Sequence, residues 1–374
     1  MARLTAIGQG LVQLHRLYGG SAWHSFHLWD QRNPLIFYLI AGLEPRTGSA
    51  LSARRATYHG SPCLYHCQSF SLLLLPMAKI ISTVNMKGGV GKTTLTVNLA
   101  TCLAKYFQKR VLVLDLDSQI SATLSLMAPH DFAGIRKKGK TLSYLLGNAI
   151  QPNPYSKLDI FDIICPEICQ IEGLELLPGD IELYDEYLVS EKLHQAAIAT
   201  ENPNFETVWN KFEGTLIKEM LAPVLEEYDF VILDCAPGYN LLTRSGIAAS
   251  DFYLLPARPE PLSVVGMQLL ERRIEKLKES HKASDDPLNI NLIGVVFILS
   301  GGGLMSRYYN QVMRRVQTDF TPGQLFQQSI PMDVNVAKAV DSFMPVVTSM
   351  PNTAGSKAFI KLTQEFLQKV EAFG

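Results

Sequence analysis

From Lys79 onward, short and almost continuously apolar runs alternate with longer stretches whose apolar residues recur at helical spacing. Strands covered on both faces need no polar side, so this alternation predicts a parallel sheet wrapped by helices. The runs read as strands from Lys79 to Asn85, Val111 to Asp115, Leu174 to Leu177, Phe230 to Asp234, Phe252 to Ala257 and Leu292 to Leu299, with a short seventh near Phe326. Between them, Thr93 to Phe107 carries Leu95, Leu99 and Leu103 beside Val97, Ala100 and Ala104, one apolar stripe at helical spacing. Similar stripes at Val264 to Lys278, Tyr308 to Phe320 and Lys357 to Val370 predict helices packed on the sheet. The stretch from 190 to 212 has no clear period and reads as an insertion. The expected fold class is therefore α/β, a doubly wound and mostly parallel sheet with helices on both faces.

Composition divides the 374 residues into two parts. Residues 1–78 hold six arginines, no lysine and only Asp30 and Glu44, together with five of the eight histidines and two of the three tryptophans. Their apolar runs, "PLIFYLIAGL" and "SLLLLP", are too short to span a bilayer and follow no basic leader with a small-residue cleavage site. Residues 1–76 are expected to be non-native upstream sequence or a disordered extension, with Met77 as the natural start and 77–374 as a single domain. The main body keeps 28 of the 34 Lys and Arg and 33 of the 35 Asp and Glu. Any contact with nucleic acid must then come from a local patch, not from overall charge. The Cys-x-x-x-Cys pairs at 63/67 and 165/169 complete no zinc spacing, so reduced thiols are expected.

The chemistry is concentrated in "VNMKGGVGKTT", residues 84–94. A strand, a glycine-rich loop and a helix starting at Thr93 form the setting in which a phosphate loop works. Gly88, Gly89 and Gly91 let successive backbone N–H groups around Val90 point inward at the positive end of a helix. Lys92 would neutralise the β- and γ-phosphates, and the hydroxyl of Thr93, followed by Thr94, would ligate Mg²⁺. The general pattern G-x-x-x-x-G-K-[ST] asks for glycine at position 86 and finds Met86. Asp115 and Asp117 close one strand and Asp234 another, and ligands of open parallel sheets lie at those carboxyl ends. All three acids can then face one Mg-phosphate site, although Asp115 could instead orient its neighbours.

The segments "KGGVGKTT", "DLDSQISATLS" and "YDFVILDCAPGYNLLT" together resemble the deviant Walker A ATPases of the ParA/Soj/MinD class, a branch of the P-loop NTPases. The similarity extends through "TLSYLLGN", "GLELLPGDIELYDEYL" and "SIPMDVNVAKAV", covering 77–374 and none of 1–76. The resemblance implies an ATPase that uses ATP and Mg²⁺. It makes Lys87 the signature lysine that reaches the partner subunit's ATP, Asp117 the switch I acid that positions the attacking water, and Asp234 the Walker B acid. Residues 235–241 would form switch II, and Pro331 and Asp333 would lie near the adenine. Ser118 and Ala236 replace family prolines, which implies altered switch stiffness rather than lost binding.

The resemblance further implies an ATP-dependent homodimer that binds DNA nonspecifically, a ParB-like or cargo-adaptor partner that stimulates slow hydrolysis, and a cytoplasmic, nucleoid-associated protein. The task would be to partition a plasmid or chromosome, or to position a large cytosolic cargo. Candidate phosphate contacts on the DNA are Arg272, Arg273, Lys276 and Lys278 on one helix, Arg307, Arg314 and Arg315 on another, and the loop Arg136, Lys137, Lys138 and Lys140. Arg307 falls where relatives place a DNA-contacting arginine, whereas Pro331-Met332-Asp333-Val334-Asn335 lacks the basic residues of the corresponding family stretch. The alternative is a MinD-like membrane-associated ATPase, which needs a basic amphipathic tail. The tail "FIKLTQEFLQKVEAFG" instead mixes Lys361 and Lys369 with Glu365 and Glu371 and reads as a packing helix. A metabolic ligase would have little use for a trans-acting Lys87, and an iron-sulfur relative would need cysteines that these loops lack.

Overall fold

Seven strands make one parallel sheet: β1 (Lys79–Thr83), β2 (Val111–Asp115), β3 (Leu174–Leu177), β4 (Phe230–Asp234), β5 (Phe252–Ala257), β6 (Asn291–Ser300) and β7 (Ile330–Pro331). They lie in the order β3-β2-β4-β1-β5-β6-β7. The structure is a computed structural model that describes residues 77–199, 204–282, 284, 286–300 and 306–373. The extension expected over 1–76 lies outside the described residues.

In chain order the helices of the first half are α1 (Lys92–Phe107), α2 (Ser121–Leu126), α3 (Pro129–Lys137), α4 (Leu142–Ile150), α5 (Ile160–Ile163), α6 (Glu186–Ile198) and α7 (Phe205–Leu221). Those of the second half are α8 (Leu241–Ala249), α9 (Pro261–His281), α10 (Ser306–Asp319), α11 (Val334–Asp341), α12 (Val346–Ser349) and α13 (Ala354–Phe373). Strand alternation sends Ile81, Val113, Ile232 and Leu254 to one core under α1, α2 and α11 to α13. Ile80, Leu114, Leu233 and Leu255 go to the other core, under α4 and α7 to α10. Both faces are thus apolar, which is why the strands lack a polar side.

Two expectations change. The seventh strand lies at Ile330–Pro331, not near Phe326. Leu325 makes only an isolated bridge to Val295. The ring of Phe326 lies over Gly294, where an added Cβ would come within 2.7 Å of it, so the ladder resumes only beyond this packed ring. The described residues of 190–212 are helical except Ala199 and Asn204, forming parts of α6 and α7. The side chains of Asp185 and Asn204 cap their N-termini by accepting backbone N–H bonds. Val189, Leu193 and Leu241 with Trp209 and Phe212 make a small satellite cluster. Its narrow stripe, interrupted between the two helices, left no period to read.

The C-terminal helix is a structural part of the core. Phe359, Leu362 and Phe366 of α13 are buried, and the Phe366 ring meets Phe230 edge-on at 5.6 Å. Among the described residues no helix is long and apolar enough to cross a membrane. Phe366→Ala is expected to lower unfolding free energy by about 3 to 5 kcal/mol, as large-to-small changes in a packed core do. Urea unfolding of the variant checks this.

Candidate functional site

Register decides which groups meet at the carboxyl ends of the strands. β4 lies between β1 and β2, with Thr83 opposite Asp234 and Asp115 opposite Asp234. The loop after β1 enters this edge through Asn85, whose amide donates to the Pro256 carbonyl (2.8 Å) and whose Oδ1 accepts from Lys87 N (2.9 Å). Met86 packs against the core and Val90 is fully buried, leaving Lys87, Gly88 and Gly89 exposed between two apolar anchors. That is the structural use of Met86 where the general pattern has glycine.

Gly89 and Gly91 take φ of +71° and +95°, conformations that side chains disfavour. At Gly91 a Cβ would also meet Ile298 carbons at 3.0 Å. Gly91 is the N-cap of α1, and no side chain occupies the first N–H groups of that helix. A ready anion site results.

Lys92 is buried, with Nζ donating to the Lys87 carbonyl at 3.3 Å. Burial lowers its pKa from the usual lysine value, opposed chiefly by the charge of Asp234. Asp234 is fully enclosed: Thr93 Oγ1 donates to its Oδ2 (2.7 Å) and Thr96 Oγ1 to its Oδ1 (3.1 Å). Burial first, then the charge of Asp115, holds the Asp234 carboxyl above the ordinary carboxylate range.

Asp115 and Asp117 divide the work expected of their pair. Asp115 accepts from Asp117 N and from both N–H and hydroxyl of Thr123, under the backbone of Gly179, and does not line the cleft. Asp117 lines it and accepts from Gln119 N (3.0 Å). The next turn is strained, because the β-branched Ile120 sits at φ +48°. Ser118, where the family has proline, is exposed beside it.

The loop residues Gly88, Gly89 and Gly91 to Thr94, with Asp117, line a cleft of about 610 Å³ whose other walls include Pro237, Arg258, Ile298 and Phe343; Asp234, like Asp115, is not among its walls and reaches it only through Thr93. Pro331 and Asp333 are not among its walls. The Asp333 carboxylate instead accepts from Gly355 N (2.9 Å) at the start of α13 and from Asn335. Val336 and Ala337, three and four residues further on, line the cleft instead. Arg258 and Phe343 were not anticipated. An arginine just past a strand's carboxyl end could have flagged the first, while Phe343, at φ +53°, carries no sequence signal.

Lys87 stands apart from this cleft. Its Nζ pairs with Glu260 at 2.6 Å, both side chains being more than a third exposed. The cationic candidates for DNA contact also separate. Arg272, Arg314 and Arg315 are exposed on α9 and α10. Arg307 lies on α10. Arg273 stacks over Tyr239 in the segment after β4, 5.2 Å from the ring centre, and Lys278 pairs with Glu275. Arg136 is held by the buried Asp180 at 2.9 Å.

Comparison with known proteins places this geometry among relatives. Residues 78–286 match the AAA domain family. The chain is 28% identical to the sporulation initiation inhibitor protein Soj of Bacillus subtilis, over 77% of this chain and 98% of that protein. Among solved structures, cobyrinic acid a,c-diamide synthase of Mycobacterium smegmatis with bound ADP and magnesium aligns with a TM-score of 0.57 and 19% identity, over 80% of this chain and 97% of that one. The cell division ATPase MinD of Pyrococcus furiosus aligns with a TM-score of 0.54 and 23% identity, over 80% and 100%.

Proposed function

Because the chain belongs to the AAA domain family of P-loop ATPases, in its ParA/MinD branch, we propose that it is an ATP-dependent dimerising switch. Its slow, partner-stimulated hydrolysis would partition DNA or position a large cargo through nonspecific binding to nucleoid DNA. The observation that carries this reading is the placement of Lys87. The loop that forms the cleft floor turns this lysine outward to the surface, away from its own cleft, a placement that would suit the phosphates of a second subunit.

ATP with Mg²⁺ fits the residues present. The N–H groups at the start of α1 and the buried Lys92 suit the phosphates. Two buried carboxyls held above the ordinary range beside one lysine leave a local demand for positive charge, which a hard cation with oxygen ligands meets. Thr93 and Asp234 would hold that ion, and Asp115 would support it only through the loop it ties. When bound, the metal neutralises charge on the phosphates being parted. Asp117, facing the cleft, would orient the attacking water. Lys92 would supply positive charge to the β- and γ-phosphates from a fixed position.

Binding to DNA would use the exposed face of α9 and α10, where Arg272, Arg314 and Arg315 form no ion pairs with other described residues. Arg307 on α10 falls within the same stretch. The reading as a membrane switch loses support because α13 spends its apolar face on the core.

Co-sedimentation with random-sequence DNA and with anionic liposomes tests the proposal. ATP should drive pelleting with DNA, weakening steeply between 50 and 200 mM salt. The pair Arg314→Glu and Arg315→Glu should cost about 10-fold or more at moderate salt. Pelleting with liposomes and not with DNA would overturn the assignment.

A further inference from the structure

The segment that leaves β5 runs beside the entry to the phosphate loop and is tied to it twice. Asn85 Nδ2 holds the Pro256 carbonyl at 2.8 Å, and Lys87 Nζ holds Glu260 at 2.6 Å. Arg258 lies between the two ties. Its own backbone is fixed as well, since Glu260 N donates to the Arg258 carbonyl at 2.7 Å. Its side chain lines the same cleft as Gly91, Lys92, Thr93 and Asp117.

That side chain is half-buried. Its Nε is buried without a hydrogen-bond partner, and no carboxylate among the described residues pairs with it. Other arginines of the fold are paired with acids: the largely enclosed Arg244 with the buried Glu213, and the more exposed Arg110 and Arg136 with Asp229 and Asp180. The two acids of the cleft region are engaged elsewhere, Asp117 with Gln119 N and Asp234 with Thr93 and Thr96. Burying even the Nε of a guanidinium without a partner is costly, and an arriving anion offsets that cost.

We propose that Arg258 is a second cationic contact for the nucleotide's phosphates, supplied by the same subunit as Lys92 from the β5 side of the loop. The inference rests on the nucleotide-binding reading above and adds to it a residue outside the phosphate-loop motif. The ligand class is a nucleoside di- or triphosphate. A planar guanidinium can hold two oxygens of one phosphate, where the compact ammonium of Lys92 acts as a point charge. The contact therefore adds orientation as well as attraction.

Equilibrium binding of fluorescent ADP and ATP analogues with Mg²⁺ tests this in wild type, Arg258→Gln, Arg258→Lys and Lys92→Ala, with melting of each nucleotide-free protein alongside. Arg258→Gln should weaken both nucleotides by about 10- to 100-fold, with Arg258→Lys recovering part of the loss. Melting without nucleotide should stay within about 2 °C, because an unpaired charge contributes no contact to lose. If wild type binds nucleotide and Lys92→Ala does not, but Arg258→Gln binds within twofold of wild type, the Arg258 contact alone is overturned. A fall in nucleotide-free melting of more than about 5 °C would assign Arg258 to the fold and overturn it too. Failure of wild type to bind either nucleotide overturns both this inference and the reading beneath it.

Discussion

Lys92→Ala is expected to lose nucleotide affinity by about 100-fold or more, the largest effect of any single change in the cleft, since a charge-assisted contact with phosphate vanishes inside a low-dielectric site. The lysine is already buried and anchored on the Lys87 carbonyl before any ligand arrives. Little ordering is therefore left to be done when the phosphates bind, and the full interaction appears as affinity. Burial lowers the lysine's pKa, and the charge of Asp234 chiefly opposes that shift. The nucleotide-free fold should survive, because the aliphatic stem of Lys92 sits at a loop-to-helix junction and not in either core. Titration with labelled ADP and ATP, beside circular dichroism of the free variant, checks both halves. Wild-type affinity in Lys92→Ala would remove the loop from the nucleotide site.

Lys87→Ala is expected to behave in the opposite way, retaining nucleotide affinity within about threefold while losing most ATP-dependent dimerisation. Its side chain lies outside the cleft, and its present partner, Glu260, forms an exposed pair whose loss costs less than about 1 kcal/mol. Neither the cleft floor nor the fold therefore depends on it. In the proposed dimer, what would depend on it is contact with phosphates across a subunit boundary, where one desolvated charge pair is worth about 2 to 5 kcal/mol. Sedimentation velocity with a slowly hydrolysed ATP analogue reads the outcome directly. An unchanged dimer fraction would show that Lys87 acts within its own subunit or not at all.

The two lysines, five residues apart in one loop, illustrate how the site could be read before the fold was known. Glycines at 89 and 91 are demanded by a backbone that turns its N–H groups inward, and that demand is local. The alternation of apolar runs with helical stripes was local too, which is why six strands and the helices on both faces could be read from it. The same holds for the C-terminal tail, whose mixed charges marked it as a packing helix before Phe366 was found against Phe230.

What could not be read locally was direction. Asp115 and Asp117 are two residues apart on one strand end, yet one is sealed under Gly179 and Thr123 while the other faces the cleft. Their separation follows from how β2, β4 and the following turn pack. Pro331 and Asp333 match a family position near the base, but the Asp333 carboxylate caps the start of α13, and Val336 and Ala337 line the cleft. Arg258 stands 164 to 170 residues beyond Gly88 to Thr94, the loop with which it shares the cleft, a distance in sequence that only the neighbouring of β5 and β1 removes. Backbone periodicity and turn chemistry act over a few residues, so the chain itself decided which elements form and which loop can hold an anion. Side-chain aim depends on contacts between distant strands, and for Asp115, Asp333, Arg258 and Lys87 it was the packed sheet that settled which groups face the cleft, which hold the fold and which stand at the surface outside the cleft.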